Sequence, residues 1–214
     1  MSTSMPFIES VPEALRESVG HWWERIGAQQ GFVDIYQALA AQHRAALPRL
    51  VAASEFAAAA MIQDPRSLGW FSEHAESAPD AANAGYQRRA AAAATVEEAQ
   101  FILREWRRRA MLRIAWRDVA GTSDVKETLL AVSDLADAAV RAAASAARLH
   151  LLPIFGEPHH ADVSVSPFII LGMGKLGGRE LNFSSDIDLV FLFSEAGETS
   201  GPREIAFQDK MDRL

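Results

Sequence analysis

Asp186 and Asp188 stand at the head of an apolar run, Leu189-Val190-Phe191-Leu192-Phe193, directly after a glycine-rich stretch. Alternate residues of an extended chain project to one face, so the two carboxylates are expected side by side, with Ile187 and Leu189 turned toward a core. Carboxylates that close repel each other unless a cation lies between them. Hard oxygen donors suit Mg2+, with Mn2+ as the alternative. Two metal-holding carboxylates beside a phosphate-cradling turn are what in-line phosphoryl or nucleotidyl displacement requires. The plainer alternative is a pair of solvated acidic residues at the start of a strand.

The glycines ahead of them admit several readings. Gly172-x-Gly174-x-x-Gly177 matches the dinucleotide fingerprint letter for letter and follows an apolar run expected to be a strand. That reading needs a crossover helix and an acidic residue about 20 positions on. Only Gly178 to Ser185 separate Gly177 from Asp186, and they carry no amphipathic period. A Walker loop fails because Leu176, not Ser or Thr, follows Lys175. The later lysine strand and catalytic loop that a kinase glycine loop needs are absent.

A short phosphate-binding turn between two strands of one sheet survives. Gly174 and the Gly177-Gly178 pair are expected to bring backbone N–H groups close to phosphate, with Gly172 reversing the chain. Lys175 would balance phosphate charge and Ser185, more than Ser184, would donate a hydroxyl. Glu180 and Asn182 would hold the loop in shape.

The run Leu171-Gly172-Met173-Gly174-Lys175-Leu176-Gly177-Gly178-Arg179-Glu180-Leu181-Asn182-Phe183-Ser184-Ser185-Asp186-Ile187-Asp188-Leu189 closely resembles the bifunctional glutamine synthetase adenylyltransferase/adenylyl-removing family. That family is a branch of the polymerase-β-like nucleotidyltransferases. Arg107 through Asp118, Leu135-Ala136-Asp137 and Ser54-Glu55-Phe56 are similar to its helical leader.

The resemblance implies a first catalytic copy of two, the one that cleaves the adenylyl-tyrosine of glutamine synthetase with inorganic phosphate and releases ADP. The second copy, which uses ATP, has no counterpart here. It further implies Asp186 and Asp188 as catalytic metal ligands, and Gly174, Lys175, Gly177, Gly178 and Ser185 as the nucleotide- and phosphate-binding set. Glutamine synthetase and a PII signalling protein are the implied partners.

The family's third carboxylate would lie on a later strand beyond Leu214, since Asp209 and Asp212 fall in a terminal helical pattern. The chain then reads as an N-terminal fragment, inactive by itself. Two alternatives stay open: a related nucleotidyltransferase such as a PII uridylyltransferase, and a noncatalytic module that binds glutamine synthetase or PII.

The elements that must position these residues change character along the chain. Up to about Leu152 strong helix formers dominate. Pro12 opens a helix with Leu15, Val19, Trp22, Trp23 and Ile26 on its stripe, broken by Gly31. Asp34 is expected to cap a helix to Leu47, and Pro48 to open the next, through Ile62. Asp64-Pro65 marks a turn.

Thr95 and Glu98 form a capping box for a helix over Val96 to Asp118, with Leu103, Trp106, Ala110 and Ile114 inward. Ser123 is expected to cap a long helix stopped by Pro153. Beyond it come a connection from Phe155 to Ser166, a buried strand from Pro167 to Leu171, a strand from Asp186 to Phe193, a loop from Gly197 to Pro202, and a helix from Arg203. The expected fold is α+β: a helical domain over 1–153, then an incomplete polymerase-β-like nucleotidyltransferase sheet over 154–214.

Composition narrows the function classes. A net charge of -7 over 214 residues disfavours a nonspecific nucleic-acid binder. No cysteine is present, so disulfides and thiolate metal sites are excluded. The first residues lack a signal-peptide pattern and the alanine runs are too short to span a bilayer, which points to a cytoplasmic protein without membrane contact. His159-His160 reads as surface loop, not a metal site. Arg104, Arg107, Arg108, Arg109, Arg113 and Arg117 read as a charged helix face, and the five tryptophans as core.

Overall fold

The computed structural model describes residues 5–74, 79–159, 168–193 and 198–203, without the side chains of 79–83 and 159. The order of elements is helices α1 (Glu13–Gly27), α2 (Phe32–Ala38), α3 (Ala41–Ala53), α4 (Glu55–Gln63), α5 (Arg66–His74), α6 (Pro79–Ala91), α7 (Val96–Val119) and α8 (Val125–Phe155). Then come strands β1 (Pro158–His159) and β2 (Phe168–Gly172), the one-turn helix α9 (Gly174–Gly177), and strands β3 (Leu189–Phe193) and β4 (Glu198–Thr199). This is the mostly helical α+β class expected. The chain forms two compact units, Met1–Ala82 with Trp106–Ala131, and Asn83–Glu105 with Val132–Leu214.

The first unit is a helical core around the second half of α7. Residues 110–116 are all buried, so this segment has no solvent face. Trp106 and Leu112 are fully enclosed, as are Ile26, Leu47, Leu50, Met61, Leu68 and Phe71. Each such side chain contributes roughly 1.5–3 kcal/mol by leaving water. Trp23 meets Phe32 and Tyr36 edge-on at 5.3 and 5.2 Å. Trp23, Trp106 and Trp116 are core as expected, whereas Trp22 and Trp70 are only half-buried and Leu15 is exposed.

Arg109 and Arg113 depart from the expected solvated face. Arg109 pairs with the buried Asp64 carboxylate at 3.1 Å, and buried Arg113 donates through Nε to the His74 carbonyl at 2.8 Å. Both arginines point inward because α5 and the Asp64 turn pack against this part of α7 and supply oxygen partners.

Helix boundaries follow side-chain caps more than prolines. Ser54 accepts the Ala57 N–H at 3.1 Å and starts α4. Pro48 lies inside α3, where its burial with Leu47, Leu50 and Val51 outweighs the backbone hydrogen bond it cannot donate. Asp34 sits in the first turn of α2, and Gly31 at φ +78° occupies the cap. The Thr95 hydroxyl accepts the Glu98 N–H at 3.1 Å, and the Glu98 carboxylate reaches back to the Ala94 N–H at 2.8 Å.

A second capping box opens α8, but on Asp124 and Glu127, not Ser123: their side chains accept each other's N–H groups at 2.8 and 2.9 Å. Pro153 falls within the last turn of α8, which closes at Gly156 (φ +71°). Among the described residues no single helix is long and apolar enough to cross a membrane. The α3–α4 pair passes that test only jointly, across a 116° bend, and its Leu47, Leu50, Val51 and Met61 are core.

In the second unit, α8 carries buried Val132, Leu135, Ala142 and Ala146. β2 and β3 are antiparallel neighbours with Phe168 opposite Phe193 and Gly172 opposite Leu189, and Phe168 stacks on Phe191 at 5.8 Å. Antiparallel pairing leaves no place for the parallel crossover of a dinucleotide fold.

The strands are less buried than expected: Ile169, Leu171, Val190 and Leu192 are each 40–47% exposed. Directly opposed residues share a face, so these four form one apolar surface. β1 pairs with β4, so His159 belongs to a short strand where a loop was expected, and so do Glu198 and Thr199. The expected helix from Arg203 lies almost wholly outside the described residues, as do His160, Pro167, Asp209 and Asp212.

Candidate functional site

The site is built on the connection between β2 and β3. Gly172 ends β2, Met173 is extended, and Gly174 reverses the chain at φ +53° into α9. That backbone angle is cheap only for glycine. Gly172 is needed for space instead of chain reversal, since a Cβ there would lie 2.8 Å from Cγ of buried Leu176. Gly177 is needed for the same reason: a Cβ would come within 2.5 Å of the Gly172 carbonyl oxygen.

The Gly177 and Gly178 N–H groups are engaged inside the turn, donating to the Met173 and Gly174 carbonyls at 3.2 and 3.0 Å. The phosphate contact expected of this pair is therefore not one that their N–H groups offer here.

α9 closes with Arg179 N–H bonded to the Leu176 carbonyl at 3.0 Å and Glu180 N–H bonded to the Lys175 carbonyl at 2.8 Å. This is the paired pattern that ends a helix through a left-handed residue. Arg179 takes that role at φ +58°, where glycine is the usual occupant and a larger residue costs about 1 kcal/mol or more.

Asn182 organises the next segment. Its side-chain oxygen accepts from Ser184 N at 3.2 Å, Ser184 Oγ at 3.3 Å and Ser185 Oγ at 2.7 Å. Lys175 Nζ in turn donates to Ser185 Oγ at 3.3 Å. Two of the expected phosphate-binding side chains, Lys175 and Ser185, are thus brought together. Ser184 serves the turn, as an Asx-type partner.

Asp186 and Asp188 follow directly, and both are exposed. The expected strand over Asp186 to Phe193 begins only at Leu189, because β2 turns away after Gly172 and the ladder loses its partner. One further bond persists: Met173 N–H donates to the Asp188 carbonyl at 2.9 Å. It holds the acidic segment against the start of the glycine turn. Residues 185–188 belong to no helix, strand or turn.

Among the described residues neither carboxylate takes part in an ion pair, and no group of three or more His, Asp or Glu side chains gathers as a metal site. Two exposed carboxylates fit a hard divalent ion in their chemistry.

The support beneath the turn carries no local sequence signal. Ser133 of α8, 1% exposed, accepts the Leu181 N–H at 3.1 Å, and Asp134 pairs with Arg179 at 2.5 Å. Leu176 and Leu181 are each 4% exposed and anchor the two ends of the loop.

Residues 44–214 match the sequence model of the glutamate-ammonia ligase adenylyltransferase family. The chain is 35% identical to a bifunctional glutamine synthetase adenylyltransferase/adenylyl-removing enzyme of Shewanella loihica, over 91% of this chain and 20% of that protein. It is 37% identical to the enzyme of the same name from Thioalkalivibrio sulfidiphilus, over 98% of this chain and 22% of the relative. Over a shorter stretch, 50% of this chain and 11% of the relative, identity to the Shewanella woodyi enzyme reaches 48%. The chain spans about a fifth of the length of the first two relatives.

Proposed function

This chain belongs to the glutamate-ammonia ligase adenylyltransferase family, and we propose that its glycine turn and paired aspartates serve a site that removes AMP from the adenylyl-tyrosine of glutamine synthetase. The observation that carries this reading is the Met173 N–H bond to the Asp188 carbonyl at 2.9 Å. It keeps the acidic segment beside the turn that bears Lys175, and so beside any phosphate that Lys175 attracts.

In the proposed reaction an oxygen of inorganic phosphate attacks the AMP phosphorus. The bond from that phosphorus to the tyrosine oxygen breaks, the phenolate takes up a proton, and ADP is released. The Lys175 ammonium offsets the charge of the incoming phosphate and orients it by hydrogen bonding. Ser185 supplies a hydroxyl next to Lys175, held in place by Asn182. Asp186 and Asp188 would hold Mg2+ or Mn2+, which when bound supplies Lewis-acid stabilisation of charge on the phosphoryl oxygens.

The functional division proposed is a helical domain over 1–153 and the opening part of the nucleotidyltransferase domain from 154, in a cytoplasmic enzyme that responds to a PII signalling protein. The test is to incubate the intact enzyme carrying this chain with adenylylated glutamine synthetase and phosphate. ADP release that depends on both is expected. Transfer of a uridylyl group to PII, with no ADP from adenylylated glutamine synthetase, would replace this reading with another nucleotidyltransferase.

A further inference from the structure

We infer that Asp134 and Ser133 of α8, with Arg179, form a clamp that positions the Lys175–Ser185 turn for its phosphate ligand, an assignment whose ligand rests on the function proposed above. The first observation is the choice of residue at position 179. The left-handed closing position of α9 at φ +58° favours glycine, and Gly178 lies one residue away at φ -78°. An arginine in that position strains the backbone, so its side chain must return something that glycine cannot. What it returns is the 2.5 Å pair with Asp134 Oδ1.

The second observation is independent of charge. The buried Ser133 hydroxyl, one residue earlier on the same helix, accepts the Leu181 N–H at 3.1 Å. Two consecutive residues of a 31-residue helix therefore grip both sides of Glu180. Between the grip and the aspartates lies only the Asn182–Ser185 turn, whose Ser185 hydroxyl meets Lys175. The clamp thus sets where Lys175 and Ser185 sit without touching a ligand itself. These three are positioning residues.

Arg179→Gly separates positioning from stability, because glycine relieves the strained backbone while releasing the grip. In the intact enzyme, Arg179→Gly and Asp134→Ala are expected to keep the wild-type melting temperature within a few degrees. They should raise the KM for phosphate in ADP release by about fivefold, the scale of one exposed ion pair, with kcat changed much less. The charge exchange Asp134→Arg with Arg179→Asp should restore most of the loss. Amide hydrogen exchange over residues 179–185 should quicken in both single variants.

Wild-type phosphate KM in both single variants, or a KM change that follows melting temperature and is not restored by the exchange, would overturn the clamp. If the wild-type enzyme released no ADP at all, the function proposed above would fall. The clamp would then be decided by hydrogen exchange alone, with quickened exchange supporting it and unchanged exchange refuting it.

Discussion

The side-chain oxygen of Asn182 accepts the Ser185 hydroxyl at 2.7 Å. That contact links the end of the glycine turn to the residue before the first aspartate, because Lys175 reaches the same hydroxyl from the other side. Asn182 therefore does more than shape a turn: it fixes the hydroxyl that Lys175 is bonded to.

Asn182→Ala removes the acceptor for three donors at once. Only the Ser185 bond bears on the hydroxyl beside Lys175, and one lost bond is worth about 1 kcal/mol, so the phosphate dependence of ADP release should weaken by roughly fivefold. Asn182→Asp keeps an oxygen in place and should retain most of the affinity. Phosphate titration of the two variants checks the order.

Gly177→Ala and Gly174→Ala should differ in kind. At Gly177 the new methyl meets the Gly172 carbonyl oxygen at 2.5 Å, and overpacking of this sort costs about 1–3 kcal/mol. At Gly174 there is open space, and only the positive φ is penalised, at roughly 1–2 kcal/mol. Thermal unfolding of both variants measures the loss. Hydrogen exchange at Leu176 should rise only in Gly177→Ala, because only there must the packing shift.

Asp64 gives the helical unit a pH dependence. Burial pushes its carboxyl up, but hydrogen bonds and charge from Arg66 and Arg109 outweigh that and hold it below the usual carboxylate range. An unfolded aspartate titrates near pH 4. The stabilisation is therefore complete above about pH 4 and is lost as pH falls through the lower folded value. Denaturant midpoints should drop in acid. Asp64→Asn should be less stable at pH 7 by roughly 3 kcal/mol, the scale of breaking a buried ion pair, and should show a shallower acid dependence.

Much of this architecture is legible in the residues themselves, where the signal is local. Thr95 and Glu98 announce a helix start; the Thr95 hydroxyl makes the bond that signature describes, and Glu98 returns to the N–H one residue earlier, at Ala94. The glycine run and Asp186-x-Asp188 are readable because spacing alone excludes a crossover helix. Signals that depend on distant partners are not legible. Arg109 and Arg113 look like a solvated stripe until Asp64 and the His74 carbonyl, 45 and 39 residues earlier, are folded against them.

Ser133 and Asp134 resemble ordinary polar helix residues because their partners lie 48 and 45 positions on. Pro48 misleads for a related reason, since packing keeps it inside α3, whereas Pro153, exposed, is simply carried in the last turn of α8. Asp186 misleads about the strand start because pairing ends where β2 turns at Gly174, which no property of Asp186 itself reveals.

Asp186 and Asp188, if they act together beside the turn, must each be indispensable to phosphorolysis. ADP release from adenylylated glutamine synthetase is compared among the intact wild-type enzyme, Asp186→Asn and Asp188→Asn, with melting temperatures recorded alongside. Each variant is expected to unfold with the wild type and to lose activity by at least about a hundredfold, the scale of removing a group that stabilises transition-state charge. Near-normal phosphorolysis by either folded variant would contradict the account.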